Sequence, residues 1–341
     1  MNTFDKNFLF KQAQKKDLKR LMNFIKTNGK KNHILAHDSS FFKYEYMTKE
    51  KINFLIAINK NDKKIYAIHG FIPYSNNKKN LHICGSVGLT KINNKYPFLG
   101  IETFKRMLSL VKHNTYCGIG TNPKTMLPLI KKFFKRYIGK MIHFYYLNKN
   151  LKKFKIAQIK KRKFSNLINS KVHFEEIFTF NQIEKKMNFV KKNKNLPYKS
   201  KAYIKKRYFD NQYFKYRFYL INKKNLLIGR EIFQNKQNRS IFSIVDFIGN
   251  VDQMSKIKNL LDYLIKKNNY EYIDLLTTKN MSKNLIKSGF IKKHENDKNI
   301  IPIYFDPFVK KNVTIHYESS KKNFIYFKAD ADQDRPSKYN N

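Results

Sequence analysis

Strand-like and helix-like patterning runs twice through this chain in one order, and that repetition constrains the fold more than any single motif. In the first run, 8–12 (FLFKQ) has the composition of a short strand. Leu18, Leu21, Met22, Phe24 and Ile25 then recur at helical spacing. Apolar segments at 53–59 and 64–72, separated by Asn61 and Asp62, predict a hairpin. A strand at 81–90, a helix at 101–112, a strand at 115–120, a helix at 124–136 and a strand at 141–147 complete the run. After a Lys-rich stretch the order restarts. A strand near 174–180 and a helix near 181–192 precede a hairpin at 216–222 and 225–233, then a long strand at 240–249. A helix at 252–267, a strand at 272–276, a helix at 281–287 and strands around 300–305 and 323–328 follow. Thr121 and Thr277 each precede a Leu-Ile-Lys helix segment (129–131 and 285–287) at the same spacing. Strands alternating with helices predict an α/β fold of two lobes. Each lobe is a mixed, mostly antiparallel sheet flanked by helices rather than a turn of a solenoid. The expected divisions are a first lobe at 1–149, a basic connector at 150–172, a second lobe at 173–328 and an acidic, then polar, tail at 329–341.

Charge is the other extreme feature. With 71 Lys and Arg against 24 Asp and Glu, the 341 residues carry a formal +47. Such a field suits nucleic acid or an anionic membrane surface. However, the abundant residues (Lys, Asn, Ile, Phe, Tyr) all have AT-rich codons, Arg is far rarer than Lys, and Trp is absent. Base-composition drift yields that pattern without a polyanionic partner, so nucleic acid is disfavoured and peripheral membrane contact stays open. Cys84 and Cys117 form no CxxC pair and imply a reducing compartment. The start of the chain lacks a signal-type apolar segment, and no run of about 18 apolar residues occurs. A cytoplasmic protein without a transmembrane segment is the expectation.

Three places carry chemistry-bearing residues. His33 and His37 lie four apart and are followed by Asp38, but without a third ligand they predict no metal site. His33 is a candidate catalytic group, and His37 and Asp38 are candidate substrate contacts. Asp246 alternates with Ile244 and Ile248 in an apolar strand, so it is either a general base of raised pKa or the partner of a lysine. At the end of the chain Asp330, Asp332 and Asp334 alternate beside Arg335. They are candidate contacts to a divalent cation, to the amine of a sugar substrate or to a partner's basic patch, or else a solvated acidic tail. No Ser-His-Asp or Cys-His signature supports a hydrolase.

The helix 283–288 ends at Gly289-Phe290, and the strand 240–249 leads directly into the helix 252–267. On these residues the chain resembles the GNAT superfamily of acyl-CoA N-acyltransferases. The resemblance implies acetyl-CoA or another acyl-CoA as co-substrate, held by backbone amides of a central strand and by a helix N-terminus. Both phosphate loops depart from the family pattern. The second lobe has Gly249-Asn250-Val251-Asp252, and the first has a single glycine in Tyr96-Pro97-Phe98-Leu99-Gly100-Ile101. The first lobe is the closer match, so Val87, Leu89, Gly100 and Ile101 are the expected cofactor contacts. HILAHD (33–38), FFKYEY (41–46) and the terminal KADADQDRPS (328–337) are similar to GNAT-like proteins of bacterial surface-polysaccharide gene clusters. That similarity implies N-acylation of an amino sugar carried on a nucleotide, for lipopolysaccharide or capsule assembly. Two other readings remain: a FemABX-like aminoacyl-tRNA-dependent transferase, and a non-enzymatic basic protein that binds nucleic acid.

Overall fold

The structure is a computed structural model that describes residues 3–75, 77, 81–92, 95–164, 171–187, 196–305, 307–330 and 334–336. The chain forms two compact units. Unit 1 gathers the described residues up to Arg136 with Glu318–Ser320 and 335–336, and unit 2 holds Tyr137–Tyr317 and Lys321–Asp334. Among the described residues no helix is long and apolar enough to cross a membrane.

Unit 1 runs β1 (Phe8–Gln14), α1 (Leu18–Asn28), α2 (Ile34–His37), α3 (Ser39–Tyr46), β2 (Lys51–Asn59), β3 (Ile65–Pro73), β4 (His82–Thr90), α4 (Leu99–Leu110), β5 (Thr115–Ile119) and α5 (Met126–Phe134). Within unit 1 these strands pair in the order β1-β2-β3-β4-β5, antiparallel except for the parallel β4–β5 pair, with the short strand Met47–Thr48 also paired to β2. The segment Glu318–Ser320 lies along β5: the Ser320 amide donates to the Tyr116 carbonyl (2.9 Å), and the Tyr116 amide donates to Ser320 Oγ (3.0 Å). Helix α4 buries Leu99, Thr103, Phe104 and Met107, a helical stripe that packs Phe104 and Met107 against Ile83 and Tyr116. Each such apolar side chain contributes about 1.5–3 kcal/mol on burial.

Unit 2 runs β6 (Ile142–Leu147), β7 (Phe174–Ile177), α6 (Phe180–Lys186), β8 (Arg217–Ile221), β9 (Asn225–Gln234), β10 (Arg239–Ile248), α7 (Lys258–Asn268), β11 (Tyr272–Thr277), α8 (Ser282–Lys287) and β12 (Ile291–Lys292). The sheet order is β12-β6-β11-β10-β9-β8-β7, again with one parallel pair, β10–β11. Leu260, Leu261, Leu264 and Ile265 of α7 share a core with Phe242, Ile244, Ile273 and Leu275. Gly289 has φ +96°, the left-handed stop anticipated after α8.

Three sequence expectations are corrected. The strand expected at 141–147 exists, but it pairs with β11 in the second sheet, so unit 1 stops at Arg136. An alternating apolar pattern predicts a strand and not its partner. Part of the stretch expected as a basic connector at 150–172, around 155–157, is packed into unit 2. Glu271 accepts hydrogen bonds from the amides of Lys155 (2.8 Å), Ile156 (2.9 Å) and Ala157 (2.7 Å), and Ile156 and Ala157 are buried beside Tyr145 and Tyr272. Around 323–328 the described residues form isolated bridges, Leu196 to Phe324 and Thr277 to Phe327, and no ladder.

Candidate functional site

Each unit has one place where its sheet opens, at its parallel pair. In unit 1 the register runs from His82↔Thr115 to Gly85↔Gly118, after which β4 continues to Thr90. Opposite β3, Ser86 and Val87 face the single residue Gly70, a bulge that re-aims the strand. Beyond it the Lys91 amide donates to the Tyr66 carbonyl (2.7 Å). Backbone groups alternate along an antiparallel strand, so those of Leu89 point to β3, and those of Gly88 and Thr90 point to the open side. Among the described residues no strand pairs with Gly88 and Thr90 there. The first turn of α4 closes this notch, since a Cβ built on Gly100 would fall 2.7 Å from Thr90 Oγ1. The acidic residue of that turn, Glu102, is buried and accepts a hydrogen bond from Arg106 (2.7 Å).

Unit 2 has the same construction, but its notch is filled. Val245 is the bulged residue, between Ile228↔Asp246 and Gly229↔Ile244. The parallel pairing stops at Ile244↔Leu275. The chain's own segment enters there: Phe327 bridges to Thr277, Thr277 Oγ1 donates to the Tyr326 carbonyl (2.7 Å), and the Ala329 amide donates to the Val245 carbonyl (2.9 Å). The cavity left beside it, lined by Lys199, Phe247 and Phe327 among others, is about 30 Å³ and holds no more than a water.

The predicted residues separate accordingly. Gly100 and Ile101 sit at the notch of unit 1. Val87 belongs to the bulge, and Leu89 is displaced by one position from the outward-facing Gly88 and Thr90. His33 caps α2, its Nδ1 accepting from the Leu35 amide (3.2 Å). Burial, reinforced by Lys30, pulls its pKa down to about 4. His37 Nε2 lies 2.8 Å from the Lys31 carbonyl. Asp38 caps α3 through the Phe41 amide (2.8 Å). HILAHD is therefore two successive helix caps.

Asp246 is fully buried. The Lys199 ammonium donates to both of its oxygens (2.8 Å each), the Phe247 amide donates to Oδ1 (2.8 Å), and the Tyr208 hydroxyl donates to Oδ2. The Lys199 ammonium also lies 2.8 Å from Asp330 Oδ1. Burial works against the ammonium, but the two carboxylates overcome it and hold Lys199 above its ordinary pKa. Asp330, desolvated and beside Asp246, is raised. Asp334 is buried too. Burial opposes its charge, yet Arg230, Lys328 and Arg207 hold it at about 2, with the Arg230 Nε at 2.8 Å and the Tyr216 hydroxyl at 3.0 Å. Arg335, in unit 1, donates to Glu45 (2.6 Å). Lys328, Asp330, Asp334 and Arg335 of the string are thus buried structure rather than a solvated tail. Asp332 lies outside the described residues. No group of His, Cys, Asp and Glu suited to a metal occurs among the described residues.

Sequence reasoning missed Glu318. It is buried against β5, with Oε1 3.0 Å from where a Cβ on Gly118 would stand, at the last paired position before the notch. Its Oε2 has no hydrogen-bond partner among the described residues and lies 3.9 Å from Arg136 Nε. Burial raises its pKa to about 7, partly offset by Arg136. No local signal marks it, because it reaches β5 from nearly two hundred residues away. On the bulge the Tyr46 and Ser86 hydroxyls share a hydrogen bond.

No family model matches the chain, and no curated protein matches it in sequence. Solved structures do match. A GCN5-related N-acetyltransferase from Anabaena variabilis ATCC 29413 aligns with a TM-score of 0.54 and 10% identity over 92% of this chain and 72% of that one. A GCN5-related N-acetyltransferase from Kribbella flavida aligns at 0.53 and 8% over 92% and 70%. Two bulged sheets, each opened at one parallel pair and flanked by helices, therefore make this chain one with the fold of the GCN5-related N-acetyltransferases.

Proposed function

We propose that the chain transfers an acyl group from a CoA-type thioester to an amine, and that unit 1 holds the donor. One observation carries this reading: the unit 1 notch presents outward-facing backbone at Gly88 and Thr90 beside a helix N-terminus, whereas the unit 2 notch is filled by the chain's own residues. In unit 1 the backbone of Gly88 and Thr90 takes the amides of the donor arm. The first turn of α4 receives its diphosphate, since unpaired N–H groups and the helix dipole favour an anion. Amides at the Ser86–Val87 bulge stabilise the developing oxyanion. Glu318 accepts the proton of the attacking amine, because a carboxyl poised near neutrality suits that task, and as the C–S bond breaks the thiolate leaves with CoA and takes up a proton to give the free thiol. The acceptor is an amino group on a nucleotide-activated sugar used in surface glycan assembly. That part rests on the similarity of HILAHD, FFKYEY and KADADQDRPS to proteins of polysaccharide clusters.

Calorimetric titration with acetyl-CoA tests the reading. One site per chain is expected. Thr90→Pro removes an N–H that faces the notch and not β3, and it should abolish that site while the sheet stays intact. A wild-type protein that takes up no acetyl-CoA at millimolar concentration, or that binds two per chain, refutes it.

A further inference from the structure

Unit 1 has a second recess that this function does not use. It is a cavity of about 310 Å³ between α1 and the turn that joins β2 to β3, of a size at the lower end for small-molecule sites. Arg20, Lys63, Lys64 and Lys91 line it, with the amides Asn23 and Asn28. The four cations come from three separate elements, and these are tied together. Arg20 Nη2 donates to the Lys63 carbonyl (2.6 Å), fastening helix to turn. The Ile92 amide donates to Asn28 Oδ1 (2.9 Å), fastening the end of β4 to the helix. Lys91 Nζ stands 4.0 Å over the Tyr66 ring.

The nearby carboxylates are already engaged. Asp17 takes Lys11 (2.9 Å) and Arg20 (3.4 Å), and Asp62 takes the Lys64 amide (3.0 Å) and the Tyr66 hydroxyl (3.1 Å). The ammonium groups of Lys63 and Lys64 form no ion pair among the described residues. A recess with this surplus of fixed positive charge selects a compact polyanion. Its position matters as well: Lys91, which lines the recess, directly follows Thr90 in the strand that forms the rim of the notch.

We propose that this recess binds the phosphate or diphosphate of a soluble phosphorylated acceptor and so presents the acceptor's other end to the notch. The proposal rests on the acyl-transfer reading for its purpose, but the site can be tested without it. Inorganic pyrophosphate is the probe, titrated calorimetrically at fixed ionic strength into the full chain. Saturable one-to-one binding is expected. The double variant Lys63→Glu/Lys64→Glu should weaken it about tenfold or more, while Lys131→Glu/Lys132→Glu on α5, with the same change in net charge, should alter it less than about twofold. Equal losses in both variants, or unsaturable uptake, overturn the proposal. Vesicles of phosphatidylcholine with phosphatidic acid provide the lipid arm, and binding to them alone also overturns it. So does competition between pyrophosphate and acetyl-CoA, which would assign the recess to the donor. If pyrophosphate binds as described and acetyl-CoA does not bind at all, the anion site stands and only the acyl-transfer reading falls.

Discussion

Lys199→Met isolates the unusual charge arrangement in unit 2. One ammonium, with a side chain 6% exposed, serves two carboxylates that are fully buried. Methionine keeps the length of the side chain and removes only the charge and its hydrogen bonds. Asp246 keeps the Tyr208 hydroxyl and the Phe247 amide, and Asp330 keeps the hydrogen bond from the Phe327 amide (2.8 Å). Both lose their counter-charge. Removing one partner of a buried ion pair costs about 3–5 kcal/mol, because the remaining charge is left desolvated. The loss is read from urea unfolding followed by far-ultraviolet circular dichroism, since the chain has no Trp. The effect must depend on pH. Asp330 is already raised in the folded protein, and losing Lys199 raises it further. A carboxyl raised by folding contributes stability below its unfolded pKa and loses it as pH climbs through the folded value. The deficit of the variant is therefore largest near pH 8 and narrows toward pH 5. Adding Asp330→Asn should recover much of it at pH 8. A deficit under about 1 kcal/mol at pH 8, or one that is flat with pH, refutes the assignment of Lys199 as the shared counter-ion.

Glu318→Gln should lower kcat by about 10²–10⁴ and remove the rise in rate through pH 7. It should also flatten stability against pH. The wild-type carboxyl, raised to about 7, loses roughly 3 kcal/mol between pH 4 and pH 9, and Gln loses none. Gly85→Ala should lower Tm, because its Cβ would fall 1.9 Å from the Tyr116 hydroxyl and 2.8 Å from its Cζ, and Tyr116→Phe in the same chain should recover part of the loss but not all of it. Glu271→Gln should cost about 2–3 kcal/mol and expose 155–161 to limited proteolysis, since one charged carboxylate now holds three amides.

What was legible in the sequence is what local pattern encodes. Both hairpins, the parallel strands flanking α4 and α7, and the Gly289 stop follow from periodicity and turn chemistry, and the two-lobed α/β fold follows from their order. Long-range partnership was not legible. Nothing in MIHFYYL says that it pairs with β11 rather than β5. Nothing in Glu318 says that it lies over Gly118. Asp246 illustrates the same limit: alternation placed it on an inward face, but whether that face meets a cleft or Lys199 is decided by a lysine 47 positions away. HILAHD shows a further limit, since a histidine and an aspartate that cap helices have the same spacing as residues that meet a substrate.

Parallel strands that part leave backbone groups that must find partners, and the two units meet this demand in opposite ways. In unit 2 the amide of Ala329 satisfies the Val245 carbonyl, on a residue with no exposure. In unit 1 the strand beyond the Ser86–Val87 bulge, at Gly88 and Thr90, faces outward. One chemical change applied to both places separates these roles. Ala329→Pro deletes an N–H that the fold itself uses, so it should cost about 1–3 kcal/mol in unfolding free energy and leave acetyl-CoA binding unchanged. Thr90→Pro deletes an N–H that the fold leaves for a ligand, so it should leave stability nearly unchanged and remove binding. If the two prolines exchange their effects, or if both act on binding alike, the donor does not sit in unit 1, and the filled notch of unit 2 is a gate that opens to admit it.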